Sequence, residues 1–199
     1  MKHEIEVNRK ITVTKIAICG KLRSGKDTAA HHLYISHGFD QVAFGDALKR
    51  LAHETFPDVG ILSKPRALYQ TFGQLMREID PDVWVRHAER KVDGIIDYRA
   101  GTDDHIGVVI TDLRQPNEYA WAKANGFTII RVTAPDQLRM DRAVDAGDDF
   151  TVHDFAHETE QHVDSFEVDY EVVNDGTVEE LKAKVDAIMA KINGLEAVN

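Results

Sequence analysis

Two glycines and a lysine at a fixed spacing constrain this chain more than any other feature of its sequence. The segment Gly20-Lys21-Leu22-Arg23-Ser24-Gly25-Lys26-Asp27 matches the pattern G-x-x-x-x-G-K of a phosphate-binding P-loop. It follows the apolar run Lys15 to Cys19, which predicts a buried strand, and it precedes Asp27 to Tyr34, which predicts a helix. Backbone N–H groups of such a loop, together with the N-terminus of the helix, bind anions. We therefore expect this loop to hold phosphate groups.

The residues at the end of the loop bear on phosphate and metal binding. Lys26 is expected to reach the outer phosphates of a nucleotide. The pattern usually continues with a serine or threonine that binds Mg²⁺, whereas this chain has Asp27. Either Asp27 holds the metal, directly or through water, or Thr28 takes that role; Asp27 is also a residue type that caps helices. The predicted nucleotide contacts of this region are Gly20, Arg23, Ser24, Gly25, Lys26, Asp27 and Thr28.

Strands and helices alternate along the rest of the chain. The pattern predicts strands at 39–44, 108–112, 127–132 and 170–174. It predicts helices at 46–56, 65–79, 83–92, 117–125, 136–146 and 177–192, with a polar loop at 97–107. Strands separated by helices favour an α/β fold with a parallel sheet, whose ligand site lies at the carboxyl ends of the strands.

Charge and composition limit the kind of partner. The 199 residues include 24 Lys+Arg and 34 Asp+Glu, a formal net charge of -10. Such an acidic chain is a poor candidate for long nucleic acid, whereas a few focused cations suffice for a small anion. The chain has no apolar run of about 18 residues, the length that predicts a membrane span. Its single cysteine, Cys19, is typical of a reducing compartment. We expect one cytoplasmic domain over 1–199, and the sequence leaves its oligomeric state open, a homodimer included.

Five blocks of sequence occur in an order that is more specific than any one of them. They are Gly25-Lys26-Asp27-Thr28, Phe44 to Arg50, Gln70 to Gly73, Asp80 to Trp84, and Asp112 to Glu118. In this order the chain resembles, over most of its length, the phage-type deoxynucleoside monophosphate kinases of the P-loop nucleotide kinase superfamily. The resemblance implies a P-loop NTPase three-layer α/β/α fold with a helical acceptor-binding insertion at 45–95 and a lid segment at about 136–165. It also implies ATP and a nucleoside monophosphate as substrates, and Mg²⁺ as cofactor.

Asp112 ends the most apolar predicted strand of the chain, and Arg114 lies two residues further on. A carboxylate at the end of that strand can hold Mg²⁺ through water, and alternatively it caps the next turn. Arg114 resembles the arginine that nucleotide kinases place on the acceptor phosphate, which a guanidinium binds with two parallel hydrogen bonds. The alternative for Arg114 is a surface salt bridge.

The residues of the acceptor site are predicted mainly from the resemblance. Arg66 and Gln70 are four apart on one predicted helix and share a face, so that one could hold the phosphate and the other a base edge. Trp84 or Phe44 could stack on the base, although aromatic residues of helices are more often part of the core. The predicted acceptor contacts are Phe44, Asp46, Lys49, Arg66, Gln70, Trp84, Arg114 and Asn117.

Arg139 and Arg142 lie three apart on a helix at the lid position of P-loop kinases. Phosphoryl transfer needs positioned cations, so we expect at least one of them to reach over the transferred group. Together with Lys26 and Arg114 they make up the predicted catalytic set. Asn174, after the last strand, is expected to border the adenine, although its Asn-Asp-Gly sequence is also that of an ordinary turn.

Three histidines after the lid arginines, His153, His157 and His162, have a spacing that would suit a metal ion. The segment also resembles the one that follows the lid in the kinases, and this favours a structural helix. Two further functions stay open. A kinase of the dephospho-coenzyme-A or phosphomevalonate type would keep the fold with another acceptor, and a nucleotide-binding protein without turnover would keep only the P-loop.

Overall fold

A five-stranded parallel sheet forms the centre of the computed structural model, which describes residues 10–59, 65–147 and 158–194. The strand order is β2-β3-β1-β4-β5, and every neighbouring pair is parallel. The strands are β1 (Thr12–Cys19), β2 (Phe39–Val42), β3 (His105–Leu113), β4 (Thr128–Thr133) and β5 (Tyr170–Val173). Since β1 and β3 lie in the middle, their carboxyl ends meet at the centre of one edge of the sheet.

Helices connect the strands and cover both faces of the sheet. They are α1 (Lys26–His37), α2 (Phe44–Thr55), α3 (Arg66–Ile79), α4 (Val83–Ala100), α5 (Pro116–Ala124), α6 (Asp136–Asp145), α7 (Glu158–Ser165) and α8 (Val178–Ile192). Among the described residues, none of the helices has the length and apolar character needed to cross a membrane.

Alternate residues of β1 point to opposite faces, as the period of two in a strand requires. Ile16 and Ile18 are buried with α1 and α8, whereas Ala17 and Cys19 are buried with α2, α4 and α5. Both sets of side chains are at most 1% exposed. A strand that is buried on both faces explains the continuous apolar runs in the sequence. The predicted three-layer α/β/α fold with a parallel sheet is therefore confirmed.

The predicted polar loop at 97–107 is wrong at both ends. Residues 97–100 complete α4, and residues 105–107 begin β3. Arg99 in the last turn of α4 donates to the carbonyl oxygen of Gly38 at 2.9 Å and to Asp40 Oδ2 at 2.8 Å. These contacts with β2 and the residue before it hold a polar stretch in a helix that its own sequence does not favour.

Three helices, α2, α3 and α4, form the segment between β2 and β3 where the helical insertion was predicted. Of the predicted lid region, α6 and α7 are described, while residues 148–157, which include His153 and His157, lie outside the described residues. The P-loop follows β1 directly. Cys19 pairs with Leu113 of β3, so that Asp112 and Arg114 end up next to the start of the loop.

Candidate functional site

The P-loop, residues 20–27, has a backbone that needs its glycines. Gly25 has a φ of 103° and caps α1, and Arg23 also has a positive φ, of 60°. A side chain at Gly25 would collide with Nδ2 of Asn174, and one at Gly20 would collide with the carbonyl oxygen of Val132. Gly25 therefore combines a left-handed φ with a close approach to Asn174, and Gly20 lies too close to β4 for a side chain, which explains the two glycines of the pattern in this chain.

Three consecutive carbonyl groups of the loop are bound by side chains from later parts of the chain. Arg139 Nη1 donates to Leu22 O at 3.0 Å, Arg142 Nη1 donates to Arg23 O at 3.4 Å, and Asn174 Nδ2 donates to Ser24 O at 2.8 Å. In a trans peptide the N–H group points away from the preceding carbonyl. The Leu22 and Ser24 carbonyls point to the bound side chains, so the N–H groups of the same peptides, those of Arg23 and Gly25, point away from these side chains. An anion-binding nest requires N–H groups that are exposed in this way.

The sequence analysis did not predict these contacts of Arg139, Arg142 and Asn174. Arg139 is 3% exposed and also pairs with Asp136, and Asn174 is buried. The expected roles of the two arginines over a transferred group and of Asn174 beside the adenine stay predictions. The sequence carries no local signal for these contacts, since the arginines lie 117 and 119 residues from their partners.

Four residues at the end of the P-loop and in the first turn of α1 have the properties expected for a phosphate and metal site. Lys26 is 4% exposed, and its Nζ lies 3.8 Å from Asp27 Oδ2, while the Asp27 carboxylate itself is exposed. Thr28 is half-buried. Ser24 Oγ is buried and has no hydrogen-bond partner among the described residues. A phosphate oxygen would satisfy that hydroxyl, so the residues present suit a bound triphosphate.

Asp112 joins the end of β3 to the start of α2. Its Oδ1 accepts from the backbone N–H of Phe44 at 2.7 Å, and its Oδ2 accepts from that of Gly45 at 3.0 Å. Burial raises the pKa of Asp112, although these two hydrogen bonds and the charges of Arg114 and Lys49 oppose that effect. Each carboxylate oxygen keeps a second lone pair, so Asp112 can act as a cap and still hold Mg²⁺ through water.

Glu118 is a buried acid that the sequence analysis included in a block but gave no role. It is 3% exposed, and its Oε2 accepts from the backbone N–H groups of Arg114 at 3.0 Å and Gln115 at 2.9 Å. Burial, and then the nearby Asp112 charge, raise the pKa of Glu118 to about 7. Glu118 therefore fixes the backbone from which Arg114 projects. The sequence signal for this role is that Glu118 lies three residues after Gln115, which is the spacing of a capping box at the start of a helix.

Positively charged side chains surround a cavity of about 940 Å³ between α2, α3 and the end of β3. We call it the cationic pocket. Arg50 forms an ion pair with Glu54 at 2.8 Å across one side of it. The lining residues are Lys49, Arg50, His53, Glu54, Arg66, Tyr69 and Arg114. The structure thus brings together three of the predicted acceptor contacts, Lys49, Arg66 and Arg114, from three separate elements.

His53 and Tyr69 form the uncharged part of the pocket wall. His53 Nε2 lies 2.7 Å from the Tyr69 hydroxyl, and His53 Nδ1 lies 3.3 Å from the carbonyl oxygen of Val59. A carbonyl only accepts, so Nδ1 donates to it, and when Nδ1 alone carries a proton Nε2 accepts from the Tyr69 hydroxyl. Neither residue was predicted, although His53 is four residues after Lys49 and Tyr69 three after Arg66, on the same helix faces.

The two aromatic side chains predicted to stack on a base lie in the core. Trp84 is 2% exposed and donates from Nε1 to the carbonyl oxygen of Gly73 at 3.3 Å, and Phe44 is 3% exposed against Trp121. Their rings are covered by protein on the side of the sheet that packs α2 and α4. In this structure both are packing residues, the alternative that aromatic residues in helices favour.

The remaining predicted acceptor contacts are polar residues outside the cationic pocket. Asn117 Nδ2 donates to Pro81 O and Asp82 Oδ1, both at 2.9 Å, and so ties α5 to the start of α4. Asp46 caps α2 and pairs with Lys91 at 2.8 Å. Gln70 is exposed on α3 and does not line the pocket.

Helix α7 lies against the P-loop and β4. Asp164 Oδ2 pairs with Lys21 Nζ of the loop at 2.6 Å, and Arg131 Nε of β4 donates to the carbonyl oxygen of Val163 at 3.2 Å. The helix predicted in this segment is thus confirmed for Glu158–Ser165. Its acidic end neutralises a loop lysine, so this part of the lid region is fixed to the loop.

Fold and site together define a P-loop protein with a three-layer α/β/α fold and a parallel sheet. The loop joins the first strand to the first helix, and the charged residues Asp112 and Arg114 lie at the carboxyl end of the neighbouring strand β3. The sequence profile of a family described as an AAA domain matches residues 16–150, more than half of the chain. The chain belongs to this AAA domain family.

Three similar proteins match most of this chain. The chain is 25% identical over 179 residues to the uncharacterized protein ORF77 of Ictalurid herpesvirus 1 (strain Auburn), covering 88% of this chain and 70% of that protein. The crystal structure of TT1252 from Thermus thermophilus has a TM-score of 0.57 at 20% identity, over 92% of this chain and 98% of the other. Shikimate kinase from Acinetobacter baumannii has a TM-score of 0.49 at 14% identity, over 93% and 96%.

Proposed function

We propose that this protein is a nucleoside monophosphate kinase that transfers the γ-phosphoryl group of ATP to a deoxynucleoside monophosphate in the cytoplasm. The observation that carries the proposal is the cationic pocket beside the P-loop edge of the sheet. Lys49, Arg66 and Arg114 line it in a chain whose net charge is -10. A binding module that held only ATP would have no use for a second cationic cavity next to its phosphate loop.

The P-loop is the proposed donor site. Its N–H groups and Lys26 would bind the β- and γ-phosphates of ATP, and Ser24 Oγ would gain the partner that it lacks among the described residues. Asp112 together with Asp27 or Thr28 would hold Mg²⁺. When bound there, Mg²⁺ would neutralise charge on the β- and γ-phosphate oxygens.

The cationic pocket is the proposed acceptor site. Guanidinium groups bind a phosphate oxygen pair with two parallel hydrogen bonds, which suits Arg66 and Arg114 to the monophosphate. The hydrogen-bonded pair of His53 and Tyr69 supplies a polar, aromatic wall for the nucleobase. Glu118 holds the Arg114 backbone on the P-loop side of this pocket.

The transfer step needs no general base. An oxygen of the acceptor phosphate is already anionic and forms a bond to the γ-phosphorus, while the bond from that phosphorus to the β–γ bridging oxygen breaks and ADP leaves. The developing charge is spread over the equatorial oxygens, and cations positioned on both sides stabilise it. Lys26 approaches from the donor side and Arg114 from the acceptor side.

A coupled assay for ADP release tests the proposal. ATP and Mg²⁺ are combined with each of the common ribo- and deoxyribonucleoside monophosphates in turn. We expect turnover with one or a few deoxynucleotides, and none with Lys26→Ala at unchanged circular dichroism. Dephospho-coenzyme A and phosphomevalonate serve as comparison acceptors.

Three outcomes would contradict the proposal. Turnover with a comparison acceptor alone would assign a kinase of another substrate class. ATP binding without turnover on any acceptor would assign a nucleotide-binding protein. Turnover of Lys26→Ala at the wild-type rate would remove the P-loop from the mechanism.

A further inference from the structure

Two histidines and an aspartate converge where the end of α1 meets α8. His32 and His37 lie in the second half of α1, and Asp186 lies in α8. Both helices are anchored in the same apolar layer, α1 by Leu33 and α8 by Val185, which are at most 1% exposed. The backbone positions of the three polar residues are therefore fixed by the core rather than by surface contacts alone.

The three side chains direct their donor atoms at one point. His32 Nε2 and His37 Nε2 each lie 2.7 Å from the same oxygen, Oδ1 of Asp186, and the three atoms all lie within 4.8 Å of one another. The two imidazole rings meet edge to face, with centroids 5.6 Å apart. Two atoms bonded to one Zn²⁺ at roughly 2.1 Å are about 3.4 Å apart, so the present arrangement needs shifts of less than about 1 Å to hold that ion.

The chemistry of the donor set suits a divalent transition metal. Two imidazole nitrogens and one carboxylate oxygen are a ligand combination that Zn²⁺ accepts, leaving a fourth position for water. The side chain of His32 is 10% exposed and that of Asp186 is 50% exposed, so the site is shielded on one side and open on the other. Among the described residues this is the one group of three such ligand atoms.

Ser36 provides the outer contact that metal-binding histidines usually have. Its hydroxyl lies 3.1 Å from Nδ1 of His32. In the present arrangement Nε2 of His32 donates to Asp186. A bound metal would displace that proton, and Nδ1 donating to Ser36 would then hold the ring in the form that binds through Nε2. The sequence placed Ser36 one turn after His32 on the same helix face.

We propose that His32, His37 and Asp186 form a binding site for one Zn²⁺ ion that joins the end of α1 to α8. The site is separate from the P-loop, since His32 and His37 lie roughly 9 and 16 Å along the helix axis from Lys26. Its metal would therefore stabilise the layer of the fold that supports the P-loop helix, and it would take no part in phosphoryl transfer.

Zinc titration of the purified, chelator-treated protein tests the site. Binding of Zn²⁺ alone is measured by competition with a chromophoric chelator and by the midpoint of thermal unfolding. The wild-type chain is compared with His37→Gln and Asp186→Asn, and the matched control is His31→Gln, an exposed histidine one position from His32 on the same helix. Two separate ligand variants keep the test valid where one of them fails to fold.

We expect the wild type and His31→Gln to bind one more equivalent of Zn²⁺ than the two ligand variants. The bound Zn²⁺ should raise the unfolding midpoint of the wild type and of His31→Gln. The affinity of the site for Zn²⁺ should fall by at least about 100-fold when a ligand is removed. Equal stoichiometry in the wild type and both variants would overturn the proposal. So would the absence of binding to the wild type, which would leave the three residues as a hydrogen-bonded contact between two helices.

Discussion

Arg139 donates from Nη1 to the carbonyl oxygen of Leu22 at 3.0 Å, across 117 residues of sequence. The contact fixes the orientation of a peptide group inside the P-loop from a helix that follows β4. Arg142 and Asn174 bind the next two carbonyls in the same way. The conformation of the phosphate loop in this protein therefore depends on the second half of the chain, although the loop pattern itself is local.

Replacing Arg139 with methionine should weaken ATP binding about tenfold. The substitution keeps much of the buried stem but leaves the Leu22 carbonyl without its charged donor, a loss of about 1–3 kcal/mol. The peptide that carries the Arg23 N–H is then free to rotate away from the nest. Titration with a fluorescent ATP analogue measures the dissociation constant. Arg142→Met is the comparison, and we expect a smaller effect because its bonds are 3.4 and 3.2 Å long; unchanged ATP affinity in folded Arg139→Met would contradict the role.

Replacing Arg66 with methionine should raise the KM for the acceptor at least tenfold and leave the KM for ATP unchanged. Arg66 lines the cationic pocket, and a charge-assisted hydrogen bond to a phosphate contributes about 1.5–3 kcal/mol. The matched control is Arg86→Met, an exposed arginine of α4 that pairs with Asp80 outside the pocket. Steady-state kinetics with each substrate varied separately measures both constants. An equal change in the two variants would show that the pocket does not bind the acceptor.

The parts of this protein that the sequence predicted are those determined by short-range pattern. The strands were recognisable because both faces of the sheet are buried, and the P-loop because its glycines are required by the backbone itself. The last turn of α4 was predicted as a loop, because its helical conformation depends on contacts of Arg99 with Gly38 and Asp40. The roles of Arg139 and Asn174 likewise depend on contacts across the fold.

The residues predicted for the acceptor site divide in the same way, into those that a short-range pattern predicts and those whose position depends on packing. Lys49 and Arg66 were predicted from charge and helix position, and the cavity brings them together with Arg114. Trp84 illustrates the opposite case. A tryptophan in an amphipathic helix is compatible with a core or with a pocket wall, and only the packing of α3 against α4 decides between them. Spacing alone carries no information on which neighbours will cover a side chain.

Replacing Trp84 with phenylalanine separates those two roles. The smaller ring leaves a cavity and removes the donor to the Gly73 carbonyl, so we expect the free energy of unfolding to fall by about 1–3 kcal/mol. The KM for the acceptor should not change, because the ring is covered by protein. Urea denaturation gives the first quantity, and the ADP-release assay gives the second. A raised acceptor KM at unaltered stability would return Trp84 to the substrate site.

Replacing Glu118 with glutamine should remove a pH dependence of stability. Burial, with the charge of Asp112, raises the pKa of Glu118 from its usual 4.5 to about 7 in the folded chain. Between those two values the folded state binds more protons than the unfolded state, so stability falls as the pH rises through this window. The loss amounts to about 3 kcal/mol, from roughly 1.4 kcal/mol for each unit of pKa.

Glutamine resembles the protonated acid and keeps an oxygen for the N–H groups of Arg114 and Gln115. Urea denaturation of both proteins from pH 5 to pH 8 should therefore give curves that diverge, with Glu118→Gln the more stable protein at pH 8. The matched control is Glu180→Gln, at the same position of the capping box of α8 but exposed, where no buried charge is removed. Parallel curves for wild type and Glu118→Gln would mean that Glu118 stays ionised in the folded protein across this range.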